Sequence, residues 1–299
     1  MNRYIMSALA LKAFSLNAPT RRLYRLIGNH FGAKKRHQVS DLLIRVGRGD
    51  LIVDLCRKYH ALENGEKLLE VGTGWMHWYS LYLWIFYECR ITALDIWDNR
   101  QFSALKAGFG KLTERFKEDR ISETVLNNLA VVNLATSFQE LYRKTGIEYV
   151  IEPRGSLDQF ADQSFDCILS MHVLEHVPTK FVTDLVRNMY RTLKPGKYTI
   201  HQIGIDDHLA HYDRKASQKQ YLRYSDWTWK ALFENEVQYF NRLQMSEWLN
   251  AFRSAGFILE EKLVESTDIA NLKIAARFAD YSKEDLSCTI LTLVYRKPN

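Results

Sequence analysis

The sequence is poor in cysteine and proline and has no long apolar run near its start, which excludes several classes of protein. Four cysteines and five prolines occur among 299 residues. The cysteines lie far apart, without a C-x-x-C pair or a histidine at zinc-finger spacing, so we expect neither a disulfide framework nor a zinc cage. Arg3 and Lys12 interrupt the first 18 residues, which predicts no signal peptide and no spanning helix. A cytoplasmic protein is the simplest expectation.

What remains is the composition of an ordinary globular chain, with 46% hydrophobic and 25% charged residues. The net charge of +6 comes partly from a basic cluster near the start. Its members are Arg21, Arg22, Arg25, Lys34, Lys35 and Arg36. We interpret it as a solvated helix face; peripheral contact with an anionic membrane surface and contact with an anionic substrate are the alternatives. Aromatic residues are not interleaved there, so no nucleic-acid partner is expected.

Apolar periodicity divides the chain into a helical start and an α/β remainder. Apolar residues recur at helical spacing over 11–62, and later runs are short, apolar and separated by helical patterns. The predicted strands are 67–71, 90–96, 147–152, 165–170 and 197–203, followed by 257–264 and 288–297. Such runs are typical of a parallel sheet covered on both faces, here with an antiparallel edge. We therefore predict a helical region over 1–62 and an α/β domain over 63–299, with a helical insertion at 204–255.

A glycine turn follows the first predicted strand, in "EVGTGW" at residues 70–75. In parallel sheets this turn lets the backbone approach a ligand, and Gly72 and Gly74 adopt dihedral angles closed to other residues. Asp95 ends the second strand 23 positions after Gly72, close to the spacing of an acid that binds ribose hydroxyls. The third glycine of a dinucleotide fingerprint is absent, and Glu70 would repel a pyrophosphate. The pattern favours a cofactor with a positive charge and an amino group.

These residues resemble the class I methyltransferases that use S-adenosylmethionine. "LLEVGTGW" is similar to their first motif, "ALDI" to the ribose-binding strand end, "SFDCILSMHVLEHVP" at 164–178 to the fourth-strand motif, and "TLKPGKYTI" at 192–200 to the turn into the fifth strand. The resemblance spans 67–203. It implies a Rossmann-like seven-stranded mixed sheet with helices on both faces. Met76 departs from the family, which often has a small residue there.

The resemblance also implies a set of cofactor-binding residues, most of them at the carboxyl ends of the strands and two of them, Ser156 and Leu157, before the fourth strand. They are Glu70, Gly72 and Gly74 at the methionine end, Asp95 at the ribose, Ile96 or Trp97 with Ser156 and Leu157 at the adenine, and Ser170, Met171 and His172 beneath the reacting sulfonium.

Methyl transfer to an alcohol needs a base, and histidine is the usual candidate. Our first choice is His208, which Asp207 would orient, and His172 is the second. His176, His201 and His211 lie in the same two segments, "HVLEH" and "HQIGIDDHLAH". A divalent metal at "HVLEH" is an alternative, but a packing role for this motif is favoured, so we expect no metal.

The acceptor is the least determined feature of the sequence. Segment 221–243 combines tryptophans and tyrosines with Asn241 and Arg242, which suits a sugar or a core helix equally well. The C-terminal third resembles bacterial methyltransferases of surface-glycan and O-antigen assembly. We predict O-methylation of a hydroxyl of a sugar or glycan precursor, so the expected partner is a small-molecule or glycan acceptor. The alternatives are a lipid or quinone-like acceptor and an inert cofactor-binding scaffold; homodimer formation is left undecided.

Overall fold

The computed structural model describes residues 3–36, 39–119 and 121–299, and the side chains of 29–36 and 39–41 lie outside this description. Lys34, Lys35 and Arg36 of the basic cluster fall among the latter. Of the helices in the described ranges, none has both the length and the apolar character that crossing a bilayer requires.

Seven strands and eleven α-helices lie within these ranges. The strands are β1 Lys67–Val71, β2 Arg90–Asp95, β3 Glu148–Ile151, β4 Phe165–Met171, β5 Leu193–Gly204, β6 Ile258–Ser266 and β7 Cys288–Arg296. The helices are α1 Arg3–Phe14, α2 Ala18–Arg36, α3 Val39–Tyr59, α4 Trp78–Tyr87, α5 Phe102–Glu118, α6 Glu123–Leu134, α7 Phe138–Thr145, α8 Thr179–Thr192, α9 Asp226–Leu232, α10 Met245–Ser254 and α11 Lys283–Ser287.

The strands form one mixed sheet in the order β3-β2-β1-β4-β5-β7-β6. Strands β1 to β5 are parallel, and β7 runs antiparallel to both β5 and β6. The strand order reverses between β1 and β4, and ligands of open parallel sheets bind at the carboxyl ends of such a pair. The predicted fold is therefore confirmed, and it fixes where a site should be sought.

Two apolar cores cover the two faces of the sheet. Leu68 and Cys167 contribute to one core, and their chain neighbours Leu69 and Ile168 contribute to the other, as expected when successive side chains alternate across a strand. Helices α3 to α7 cover the first face, and α8 and α10 cover the second. Burial on both faces explains why these strands read as continuous apolar runs.

The aromatic helix α4 is a core element between the sheet and α3. The indole Nε1 of Trp78 donates a hydrogen bond to the carbonyl oxygen of Arg45 at 3.2 Å, and the hydroxyl of Tyr82 donates to the carboxylate of Asp50. The aromatic residues after the glycine turn therefore pack the N-terminal helices onto the sheet.

Helix α1 packs on the segment that follows β5. Tyr4 and Ala8 are fully buried in a third apolar cluster with Tyr221 and Trp229. The Tyr4 hydroxyl donates a hydrogen bond to Asp207 Oδ2 at 2.7 Å, across 203 positions of sequence. The boundary at residue 62 stays a prediction, and α1 contacts the predicted insertion on its far side.

Part of the basic cluster is engaged within the protein. Arg21 forms an ion pair with Glu236, and the guanidinium of Arg25 lies 5.0 Å from the ring centroid of Trp97. These contacts place α2 over the carboxyl end of β2. Contact with a membrane surface stays a prediction.

Candidate functional site

The turn between β1 and α4, residues 72–77, is termed the glycine loop. Gly72 and Gly74 have φ of +76° and +66°, where side chains are disfavoured. A Cβ on Gly72 would collide with the side chain of Val173, whereas a Cβ on Gly74 would meet no atom within 4 Å. The loop therefore rests against the turn after β4 on one side and faces unfilled space on the other.

Asp95 connects the glycine loop to the end of β2. Its carboxylate accepts hydrogen bonds from the backbone N–H groups of Gly74 and Ile96, each at 2.8 Å. Burial raises the pKa of Asp95, although these backbone bonds oppose the rise. Ile96 and Trp97 beside it are each 42% exposed, and a Cβ on Gly155 would lie 3.4 Å from the Ile96 side chain. An acid thus borders an accessible apolar surface.

A chain of hydrogen bonds fixes the glycine loop from beneath. The Tyr142 hydroxyl lies 2.7 Å from His77 Nε2, His77 Nδ1 lies 2.6 Å from the Thr73 hydroxyl, and that hydroxyl donates to Glu70 Oε2 at 2.6 Å. Because Thr73 donates to Glu70, it accepts from Nδ1–H, and Nε2 of His77 accepts from Tyr142. Burial lowers the pKa of His77 to about 3, so the neutral ring that this chain requires is present at neutral pH.

Glu70 is only 1% exposed, and its carboxyl group points at the glycine loop. Burial raises its pKa to about 7, and hydrogen bonds with Ser80 and Thr73 oppose the rise. Glu70 therefore holds the loop to the start of α4. Its predicted place at the methionine end of the cofactor stays a prediction.

The remaining predicted cofactor residues are mostly enclosed. Ser170 Oγ lies 2.6 Å from Nδ1 of the buried His201, and Leu157 is fully buried. Met171 is buried in the core, and the Ser156 hydroxyl accepts the Asp158 N–H at 3.0 Å. Ser170 and Met171 end β4, whereas Ser156 and Leu157 lie in the loop between β3 and β4. The contacts of all four with a cofactor stay predictions.

A second polar group lies at the carboxyl ends of β4 and β5, next to the glycine loop. We call it the histidine–carboxylate cluster. Its members are His172, Glu175, His176, Asp206, His208 and His211. Residues 174–176 form a 3-10 turn. A Cβ on Gly204 would lie 2.8 Å from Glu175 Oε1 and 3.2 Å from Asp206 Oδ1, so glycine at the end of β5 lets the two carboxylates converge.

Glu175 is buried at the centre of this cluster. Its Oε1 accepts the Gly204 N–H at 3.1 Å and lies 3.3 Å from His172 Nδ1. Burial raises the pKa of Glu175, but the bond to His172 and the nearby His176 and His208 outweigh it, so the net pKa is lowered. The carboxylate is therefore charged at neutral pH.

His172 and His208 differ in how much of the ring is already bonded. His172 Nε2 lies 3.0 Å from Gln202 Oε1 while its Nδ1 faces Glu175, so both ring nitrogens face acceptors. Burial, followed by the charge of His176, lowers the pKa of His208 to about 4. The His208 ring is therefore neutral at neutral pH and offers a lone pair.

Asp207 does not orient His208 in this structure, contrary to our prediction. Its carboxylate turns inward, accepting from the Tyr4 hydroxyl and from the Leu209 N–H at 2.9 Å, and burial raises its pKa to about 7. The neighbouring acid takes the expected place: Asp206 Oδ1 lies 4.0 Å from His208 Nε2, and Oδ2 lies 2.7 Å from His211 Nε2.

A comparison with protein-family models identifies the family of this chain. A family model described as a methyltransferase domain matches residues 38–262, well over half of the chain. The chain belongs to this family. Membership confirms the predicted enzyme, an S-adenosylmethionine-dependent methyltransferase, and its cofactor. No curated protein matches the methyltransferase in sequence.

Solved structures share the fold of the methyltransferase at low sequence identity. A sarcosine dimethylglycine methyltransferase of Galdieria sulphuraria is 11% identical, with a TM-score of 0.50 over 85% of this chain and 86% of that one. Phosphoethanolamine N-methyltransferase 2 of Haemonchus contortus, solved with S-adenosylmethionine, is 14% identical, with a TM-score of 0.46 over 84% and 53%. A methyltransferase of Methanosarcina mazei is 18% identical, with a TM-score of 0.44 over 81% and 97%. The chain spans about half the length of the Haemonchus protein.

Sequence reasoning missed several residues that shape the site of the methyltransferase. Thr73 and His77 bond to each other within the glycine loop, and Tyr142, distant in sequence, supports the loop through His77. The prediction assigned the orientation of His208 to Asp207 and not to Asp206. The spacing of four residues between Thr73 and His77 was the local signal for their contact, because two polar side chains at this spacing can meet.

Proposed function

We propose that the protein transfers a methyl group from S-adenosylmethionine to a hydroxyl of a sugar or glycan precursor. The observation that carries this proposal is the convergence of four histidines and two carboxylates at the ends of β4 and β5, beside the glycine loop. Val173 connects the glycine loop to the histidine–carboxylate cluster. Its side chain packs against Gly72, and in sequence it lies between two members of the cluster, His172 and Glu175.

The residues around the glycine loop fit the cofactor. Gly74 leaves space where a side chain would stand, Asp95 offers a carboxylate to ribose hydroxyls, and Ile96 and Trp97 offer an apolar face to adenine. When bound, S-adenosylmethionine supplies an electrophilic methyl group on its sulfonium. The chain's own part is to hold the acceptor and accept its proton.

His208 is the residue best suited to take that proton. It is neutral at neutral pH, and Asp206 lies 4.0 Å from its Nε2, close enough to stabilise the protonated ring. His172 is less suited, because both its ring nitrogens already face acceptors. We therefore propose His208 as the base, as predicted, and Asp206 instead of Asp207 as the acid that orients it.

The polar cluster favours a sugar over a lipid or quinone. Apolar acceptors need apolar walls, and this end of the sheet presents ionisable groups. The aromatic segment after β5 gives less support than expected: Asn241 Nδ2 donates to the carbonyl oxygens of Leu174 and Val177, and Arg242 lies 4.7 Å from the Trp229 ring centroid. The choice of a sugar therefore rests on the cluster and on the resemblance of the C-terminal third.

The first experiment is calorimetric titration with S-adenosylhomocysteine of the wild type and of Asp95→Ala. Loss of one or two charge-assisted hydrogen bonds, each about 1.5–3 kcal/mol, should weaken binding at least tenfold. Equal affinity in a folded variant would contradict the ribose assignment.

Acceptors are then compared by transfer of radiolabelled methyl to nucleotide-sugars, glycans, lipids and quinones. Turnover of a sugar acceptor that is lost in His208→Ala, with S-adenosylhomocysteine affinity unchanged, supports the proposal. The matched variant His60→Ala, on an exposed histidine after α3, should stay active. Turnover of lipids or quinones alone would contradict the sugar assignment, and cofactor binding without turnover of any acceptor would favour the scaffold.

A further inference from the structure

One buried group in the histidine–carboxylate cluster lacks a partner. The Glu175 side chain is 3% exposed. Its Oε1 is bonded to Gly204 and faces His172, but Oε2 has no hydrogen-bond partner among the residues that the structure describes. A buried charged oxygen without a partner is strongly unfavourable, and a bound water or cation would supply the partner.

Two histidine rings, those of His176 and His208, lie near the Glu175 carboxylate. His176 Nδ1 lies 2.7 Å from the carbonyl oxygen of Tyr239. Because a carbonyl only accepts, Nδ1 donates to it, and Nε2 is the ring nitrogen left to bind a metal ion. A backbone carbonyl bonded to the second ring nitrogen is the usual way in which proteins orient a metal-binding histidine. The ring centroid of His208, from the segment after β5, lies 5.1 Å from that of His176.

We propose that Glu175, His176 and His208 bind a divalent metal ion. One ligand atom from each residue lies within 4.8 Å of the other two. Metal–ligand bonds of about 2.0–2.2 Å bring two ligands of one ion to within about 4.4 Å of each other, so small side-chain movements close the site. This replaces our expectation from the sequence that no metal is bound.

The ligand set determines which ion suits the site. Two imidazole nitrogens and one carboxylate oxygen favour Zn²⁺ or another transition-metal ion such as Mn²⁺ or Co²⁺ over Mg²⁺ and Ca²⁺, which prefer oxygen ligands alone. Three protein ligands leave at least one coordination position for a further ligand, as in catalytic zinc sites.

The chemical role of the ion rests on the proposed function. A hydroxyl that coordinates a divalent ion has a lowered pKa, so the acceptor O–H bond breaks, the proton passes to water, and the electron pair stays on the coordinated oxygen. Because one lone pair cannot bind both the ion and the proton, metal binding changes the proposed role of His208 from base to ligand and leaves the proposed methyl transfer unchanged. Asp206 and His211, paired at 2.7 Å, lie beside His208 in the segment after β5.

Metal binding is tested without reference to turnover. The full-length protein is freed of metal with a chelator, and Zn²⁺, Mn²⁺ and Mg²⁺ are titrated separately by calorimetry, with metal content measured by mass spectrometry after dialysis. We expect one Zn²⁺ or Mn²⁺ per chain, bound at least tenfold more tightly than Mg²⁺. Glu175→Gln and His208→Asn should each weaken this binding at least tenfold, while His60→Asn should not.

The outcomes separate the two proposals. Absence of stoichiometric binding, or binding that is undiminished in both folded cluster variants, would overturn the metal site. Glu175→Gln retains an acceptor for the Gly204 N–H, and His208→Asn provides a second test if the first variant does not fold. Titration of S-adenosylhomocysteine into the same preparations tests the proposed function independently. Cofactor binding without metal binding would contradict only the metal site. Metal binding without cofactor binding would contradict only the proposed cofactor site.

Discussion

Ionisation of Glu70 should make the protein less stable as the pH rises towards neutrality. The pKa of Glu70 is raised from 4.5 to about 7 in the folded protein. Between these values the folded state holds a proton that the unfolded state has lost, so this stabilisation is complete below pH 4.5 and disappears as the pH rises through 7. A shift of about 2.5 pH units corresponds to about 3 kcal/mol of unfolding free energy.

Glu70→Gln isolates this effect, because glutamine has a similar shape and does not ionise. The difference in unfolding free energy between wild type and variant should change by about 3 kcal/mol between about pH 4.5 and about pH 8, with the variant gaining at the higher pH. For a chain of this length that is about 5 °C in Tm. Thermal melts across this range at constant ionic strength measure it, with the exposed Glu63→Gln as a control that should follow the wild type. Parallel pH profiles for wild type and Glu70→Gln would refute the reasoning.

Three further substitutions test the packing around the site. Gly72→Ala should lower the free energy of unfolding in urea by about 2–4 kcal/mol, because of left-handed backbone strain and collision with Val173. Adding Val173→Ala should restore only the part of this loss that is due to the collision. Full restoration in the double variant would contradict the contribution from backbone strain. Tyr4→Phe should cost about 1–3 kcal/mol, because buried Asp207 loses a hydrogen-bond donor, and an unchanged Tm would mean that α1 does not depend on this bond. Phe252→Ala should cost about 3–5 kcal/mol by opening a cavity in a fully buried position, and a cost below 1 kcal/mol in denaturant titration would show that the core collapses to fill it.

The sheet could be predicted because each strand carries its own signal. Strand β1 has the predicted bounds, and the others differ by a few residues at one or both ends. Strand β5 begins at Leu193, before the predicted start at 197, because Leu193 pairs with Phe165 across an irregularity in the register. Helix α1 begins at Arg3, within the predicted helical region but before the apolar periodicity that starts at residue 11, and its buried residues face a segment about 200 positions later. Local periodicity does not contain either long-range pairing.

The candidate site also has a part that local sequence predicts and a part that depends on long-range contacts. The glycine loop and Asp95 are local to two strand ends, so composition and spacing located them. The choice between Asp206 and Asp207 could not be made from spacing, since both follow β5 directly. The docking of Tyr4 turns one acid inward and leaves the other beside the histidines. The burial of Glu175 likewise depends on the turn after β4 closing over Gly204.

The hydrogen bond between Tyr4 and Asp207 also bears on biosynthesis. At about 5–20 residues per second, a ribosome takes roughly 10–40 s to make the 203 positions that separate them. During that interval α1 has left the ribosome without the surface that covers Tyr4 and Ala8. The nascent chain therefore exposes apolar residues until translation has passed β5. A chaperone that binds α1 would delay burial of Asp207, next to the histidine–carboxylate cluster.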